Sequence, residues 1–179
     1  MTEGEQLIEE VEQSRTALIA AVASCTDAQG AFKPDEGQWS VVEVVEHLYL
    51  AELSGIAKIW AALDAFRAGK GWAEARPHRG KSIEEIVAET WKAKEVAPPI
   101  ATPHIGGPIQ FWLTATRSLR PVLGDLGAQL GNTNLEDVVF PHFLSGPLDG
   151  RQRLEFLRFH VQRHSDQIAR IKSSASFPR

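Results

Sequence analysis

From residue 151 to about 173 the chain carries Leu154, Leu157, Val161, His164, Ile168 and Ile171, in steps that alternate between three and four. An α-helix turns once every 3.6 residues, so these positions form one narrow stripe that other helices must cover. A half-buried strand would instead show alternation at every second residue. The pattern commits the C-terminal region to a helix whose seam lies inside a bundle. Arg153, Arg158, Arg163, Arg170 and Lys172 fall mostly off that seam, and the basic residues of the last turns suit the negative end of the helix dipole.

The rest of the chain supplies partners for that seam. Residues 2 to about 24 place Leu7, Val11, Leu18, Ile19 and Val22 at helical spacing, with no Pro and a single Gly at position 4. The stretch TDAQGAFKPDEGQ reads as a loop. Ser40 followed by Glu43 fits a capping box, in which each side chain satisfies an amide that the first turn leaves unpaired, and a helix from about 41 to 68 follows. Gly55 inside it allows a close helix contact. Ser82 with Glu85 opens a shorter helix to about 96, stopped by Pro98, Pro99 and Pro103. Pro108 suits the first turn of another helix, which carries Phe111, Trp112, Leu113, Leu119, Val122, Leu123 and Leu126 and in which Pro121 predicts a kink. Residues 131–150 form a long connection without a pattern, and connections of that length usually have work to do, so this one is expected to cover something. Four long helices, one short extra helix, long loops and no convincing strand give an all-α, antiparallel four-helix bundle spanning residues 1–179 as one domain; the alternative is a small α+β domain.

Composition excludes several classes. Hydrophobic residues make up 43% and charged residues 23%, as in globular chains, so neither disorder nor a membrane span is indicated. The acidic start MTEGEQLIEEVEQ lacks the basic and apolar blocks of a secretory signal, and a cytoplasmic location is expected. Cys25 is the only cysteine, which excludes an internal disulfide and a zinc site of several thiolates but leaves a nitrogen and oxygen site open. The 19 basic and 23 acidic residues are spread along the chain without a basic stripe, so nucleic acid is not an expected partner. Neither a phosphate loop nor a dinucleotide fingerprint is present.

His164 stands in the seam where an aliphatic residue belongs, and His160 lies one turn earlier on the same face. Imidazoles at i and i+4 can aim ring nitrogens at one point, where zinc or a similar divalent ion needs them at about 2.0 to 2.1 Å. His47, beside Val44, Leu48 and Ala51 on the inward face of its helix, can supply a third nitrogen, and three imidazoles leave one position open. A seam histidine is also met as a hydrogen-bonded core residue, and spacing alone does not bring His47 to the same point. Glu43, one turn before His47, is explained by its cap. His78, His104 and His142 sit in loops beside Pro or Gly and are expected to face solvent. Cys25 has no activating base nearby in sequence and reads as a buried, inert thiol. Trp39, Trp60, Trp72, Trp91 and Trp112 read as core or pocket lining.

Trp39-Ser40 followed by VVEVVEHLYLAE, together with the distant FLRFHVQRHSDQI, resembles the DinB/YfiT-like family of metalloenzymes, which place one histidine in the second helix and an HxxxH pair in the last. The resemblance extends to the apolar first helix and the Pro-rich crossover before the third long helix. It implies that His47, His160 and His164 are a metal triad and that Gln167, one turn beyond His164, supports it or lines the pocket. The segment FPHFLSGPLDG departs from the family, which often has His-Pro near a Gly where Pro141 here precedes His142.

Members of that family include transferases that use low-molecular-weight thiols and proteins described as hydrolases. The resemblance therefore implies one divalent ion, zinc or nickel, that activates a thiol or a water. Since the chain has one unactivated cysteine, a transferred thiol would come from a cosubstrate. Thiol transfer to an electrophile is the leading expectation, metal-dependent hydrolysis the second, and a non-catalytic metal-binding or ligand-binding bundle the competitor from another class. A small-molecule substrate and a symmetric homodimer are the expected partners; catalytic acid and base residues are not legible.

Overall fold

The computed structural model describes residues 1–92 and 96–179, and among them the chain is mostly helical. In order come α1 (Glu3–Val22), the short α2 (Asp27–Ala31), α3 (Val41–Arg67), the short α4 (Ile83–Thr90), α5 (Ile109–Leu130) and α6 (Gly150–Lys172). Five of the six start at capping boxes: Thr2 with Glu5, Thr26 with Gln29, Ser40 with Glu43, Ser82 with Glu85, and Asp149 with Gln152. Each box satisfies two amides at a helix start, and losing the cap costs roughly 0.5–2 kcal/mol. The box at Thr26 turns part of an expected loop into α2. Pro108 is the residue just before α5 rather than part of its first turn, and α5 continues as helix through Pro121.

The long helices interleave: α1 packs on α5 and α6, and α3 packs on the same two. Their apolar faces form two clusters. One includes Val11, Ile56, Leu63, Leu123, Leu126 and Leu154, the other Leu18, Val45, Leu48, Leu113, Val161 and Ile168. Burying each such side chain stabilises the fold by roughly 1.5–3 kcal/mol, so the clusters dominate the packing. Gly55 eases the approach of α3 to α6, because a β-carbon there would lie 3.1 Å from Cδ2 of Leu157 and the leucine would have to shift by a few tenths of an ångström. Along α1 and α3 the two clusters are divided by a buried ionic group, Arg15 with Glu12 and Glu52.

Two expectations are corrected. The helix opened by Ser82 ends at Thr90, not near 96: Trp91 is extended (φ −99°, ψ 146°), and the expected continuation over 93–95 lies outside the described residues. The connection over residues 131–150 contains a hairpin where no strand was expected, with β1 (Phe140–His142) antiparallel to β2 (Gly146–Leu148) and Phe140 opposite Leu148. Gly146 has φ +73°, a conformation that a side chain would strain, and it opens β2 directly after the turn. Pro99–Ala101 form a 3-10 turn that lies on α3. Among the described residues no helix is long and apolar enough to cross a membrane.

Candidate metal centre

Helix geometry brings the three expected histidines together. His160 and His164 are successive turns of α6, and His47 faces them from α3; all three are buried. One ring nitrogen of each lies within 4.8 Å of the others. The Nε2 atoms of His47 and His164 are each 3.1 Å from Nε2 of His160. Imidazoles bound tetrahedrally at zinc distances have nitrogens about 3.3 Å apart, so this spacing matches a shared ion.

The hydrogen bonds on the far sides of the rings strengthen that match. Nδ1 of His47 lies 2.8 Å from the carbonyl oxygen of Ala101, and Nδ1 of His164 lies 2.7 Å from Oε1 of Gln167. Both partners only accept, so both Nδ1 atoms carry the proton and both Nε2 atoms present lone pairs. Two lone pairs thus converge on Nε2 of His160, which has at most one proton to share. A cation at the centre would satisfy all three nitrogens, with Gln167 and the Ala101 carbonyl as the partners that would orient the rings.

Burial keeps the rings neutral, as ligands must be. It pushes the pKa of His47 down, against the pull of the Ala101 carbonyl. It pushes His160 well below its ordinary value, with the neighbouring His164 and His47 adding to the effect. It lowers His164 to about 3. Trp39 packs on the group, its ring centroid 4.9 Å from that of His47 and 6.4 Å from that of His164.

The triad opens on a cavity of about 810 Å³ between α3, α6, the crossover before α5 and the hairpin. Trp39 and Trp91 are in its wall, and so are His142, Phe143 and Leu144; the long connection does cover something. Among the described residues no fourth His, Cys, Asp or Glu joins the cluster. Glu43 is spent elsewhere, accepting the Ser40 amide at 2.8 Å and the Lys33 ammonium at 2.7 Å. Cys25 is buried in the second apolar cluster, away from the cavity wall.

The loop histidines divide. His104 is exposed, as expected, with its amide held by Glu46. His78 and His142 are buried, which corrects the expectation that they face solvent. His78 donates from Nε2 to the Ser145 carbonyl at 2.9 Å, fastening the hairpin. His142 accepts the amides of Leu144 and Ser145 on Nδ1, at 3.3 Å each, and forms part of the cavity wall. Arg153, expected mostly off the seam, is also buried in that wall. Sequence did hold a signal for it: Arg153 precedes His160 by seven residues and so shares the stripe of the histidines. The Ala101 carbonyl has no such signal, being main chain from a distant turn.

No curated protein and no solved structure matches the chain. Residues 10–168, which include all three histidines and every long helix but the ends of α1 and α6, match the DinB superfamily, and the chain belongs to that family.

Proposed function

We propose that the chain is a four-helix-bundle metalloprotein in which His47, His160 and His164 hold one divalent ion, zinc or nickel, and that it is an enzyme transferring a low-molecular-weight thiol to an electrophile. The observation that carries the reading is the convergence of three Nε2 atoms, those of His47 and His164 each 3.1 Å from that of His160. Bound there, an ion would lower the pKa of a thiol or water in its remaining position. His47 and His164 are fixed in the ligating tautomer by Ala101 and Gln167, so no proton has to move before binding. Trp39 packs on the rings of His47 and His164 and lines the cavity beside them. The cavity leaves room for a small molecule.

Two features favour catalysis over a purely structural ion. Structural zinc sites close with four protein ligands, whereas the described residues here offer three, and these face an open cavity. Cys25 lies outside that cavity, so the attacking thiol has to be brought in by a cosubstrate, which is what separates transfer from a cysteine-based mechanism. Hydrolysis by an activated water uses the same groups and is the second reading.

The test is elemental analysis of protein purified without an affinity tag, followed by turnover assays with several small thiols and electrophiles before and after chelation. About one ion per chain, turnover lost on chelation with the helical circular dichroism retained, and recovery with Zn²⁺ or Ni²⁺ are expected. A chelated chain that loses its helices points to a structural ion. A metal-loaded chain that turns over neither thiol nor hydrolytic substrates overturns the enzymatic reading.

A further inference from the structure

Beyond the triad, the cavity wall contains a second cluster, of Arg153, Lys58 and His142. Arg153 from α6 is 6% exposed, yet no carboxylate pairs with it among the described residues. Its Nη2 donates to the Pro141 carbonyl at 2.7 Å, and its Nε finds no acceptor among the described residues. Lys58 from α3 has its Nζ 5.8 Å from the centre of the Phe140 ring, and the guanidinium of Arg153 lies 5.5 Å from the centre of the same ring. Two cations thus approach one side chain, both act electrostatically on His142, and no ion pair with a carboxylate is formed by either among the described residues. His142 completes the group: its Nδ1 accepts two backbone amides, so its proton is on Nε2, which has no acceptor among the described residues. A buried cation without a counter-ion is strongly unfavourable, and a like charge beside it makes matters worse.

The cluster lies close to the triad. The Phe156 ring is 4.6 Å from that of His142 and stacks on that of His160 at 5.3 Å, so one phenyl ring separates the donors from the ligating histidines. The wider wall agrees in sign: Arg163 and Arg170 also face the cavity, and Asp166 is the only carboxylate in its described lining.

We infer that Arg153, Lys58 and His142 form an oxyanion-binding subsite, and that the substrate of this cavity is a small molecule carrying a carboxylate or phosphate about one ring's width from its reacting atom. The inference rests on reading the cavity as a substrate pocket. Arg153 offers a directional fork, Lys58 a point charge, and His142 a neutral donor held in place by the hairpin. An apolar or cationic molecule would leave the Arg153 Nε and the charges of Arg153 and Lys58 unanswered.

The probes are succinate and inorganic phosphate, titrated calorimetrically into the metal-free protein at constant ionic strength held with chloride. Saturable binding of one equivalent of either is expected; tighter succinate identifies a carboxylate site, tighter phosphate a phosphoryl site. Arg153→Met should weaken binding tenfold or more, the loss of a charged hydrogen bond. Lys58→Gln should weaken it several-fold, and Arg163→Gln, which removes a charge elsewhere in the wall, less than twofold. Absence of saturable binding, or equal weakening by Arg163→Gln and Arg153→Met, overturns the subsite in favour of a diffuse positive field. If Arg153→Met fails to fold, Lys58→Gln and His142→Phe decide, and unchanged affinity in both overturns it as well. The metal reading fails separately: a chain that binds the anion but no ion refutes the triad alone, and one that binds zinc but no anion refutes the subsite alone.

Discussion

Arg15 and Arg153 are both guanidiniums buried against long helices, and the fold treats them in opposite ways. Around Arg15, burial works against the charge, but Glu52 and Glu12 outweigh it and hold the pKa above the ordinary value. Around Arg153 burial acts alone and pulls the pKa down to about 10. The first cluster is closed: charges and donors are answered from within, and it sits between two apolar clusters with nothing left to bind. The second cluster and the triad beside it are open: the Nε of Arg153 finds no acceptor among the described residues, and the Nε2 atoms of His47 and His164 share one nitrogen of His160 between them. Polar groups buried and satisfied serve the fold, whereas polar groups buried and unsatisfied are tolerated where a ligand completes them.

That contrast can be broken by mutation. The largest effect is expected at the open cluster's centre: His160→Ala leaves two imidazoles and should abolish stoichiometric metal binding, measured by elemental analysis, as should His164→Ala and His47→Ala. Helical content should survive, because the apolar clusters do not include these rings. Full metal content in the His160 and His164 variants would remove the site altogether. At the closed cluster the reverse holds. Glu52→Ala strands Arg15 with one partner and should lower the unfolding free energy by roughly 3–5 kcal/mol in urea titration while metal content stays at one ion. Normal stability in that variant would show the ionic group to be dispensable, and the contrast would fail.

Acid should sharpen the difference. Burial holds the folded-state pKa of His142 and of His164 at about 3, against about 6.5 unfolded. Below 6.5 the unfolded chain therefore binds protons that the folded chain refuses, and stability falls as pH drops from 6.5 towards 3. Above 6.5 these groups contribute no slope. For metal-free protein the loss should be on the order of 2 kcal/mol per histidine at pH 5, and His142→Gln should remove one such increment. A flat stability profile between pH 7 and 5 would contradict the burial of these rings. The smallest effect belongs to the support of the triad: Gln167→Ala frees His164 to rotate and change tautomer, and should weaken metal affinity roughly 10–100-fold without changing stoichiometry. Competition against a chromophoric chelator measures it, and unchanged affinity would leave Gln167 as mere lining.

The parts legible in the sequence share a property: each is encoded by residues near one another along a helix. The α6 seam, the capping boxes at Ser40 and Ser82 and the pair His160 and His164 all repeat within a few turns, so spacing alone reveals them. That His47 joins the pair could be read only with the help of family resemblance, because α3 and α6 meet through tertiary packing. The hairpin is not legible, since three-residue strands holding Pro141 and Pro147 show no alternation. The burial of His78 and His142 is hidden with it: loop histidines beside Pro and Gly look exposed until the loop folds back, and here Ser145 contacts both in the interior. Thr26 with Gln29 was legible in principle, its box hidden by the Gly and Pro around it.

One further feature bears on how such a chain can diverge. The partner of His47 is the main-chain carbonyl of Ala101, and the crossover that carries it is fastened by Glu46, whose carboxylate takes the amides of His104 and Ile105 at 2.7 Å and of Gly106 at 2.9 Å. None of these contacts uses a crossover side chain. Mutational drift along that segment can thus reshape the cavity mouth while the orientation of the His47 ring is kept through a glutamate adjacent to it in sequence.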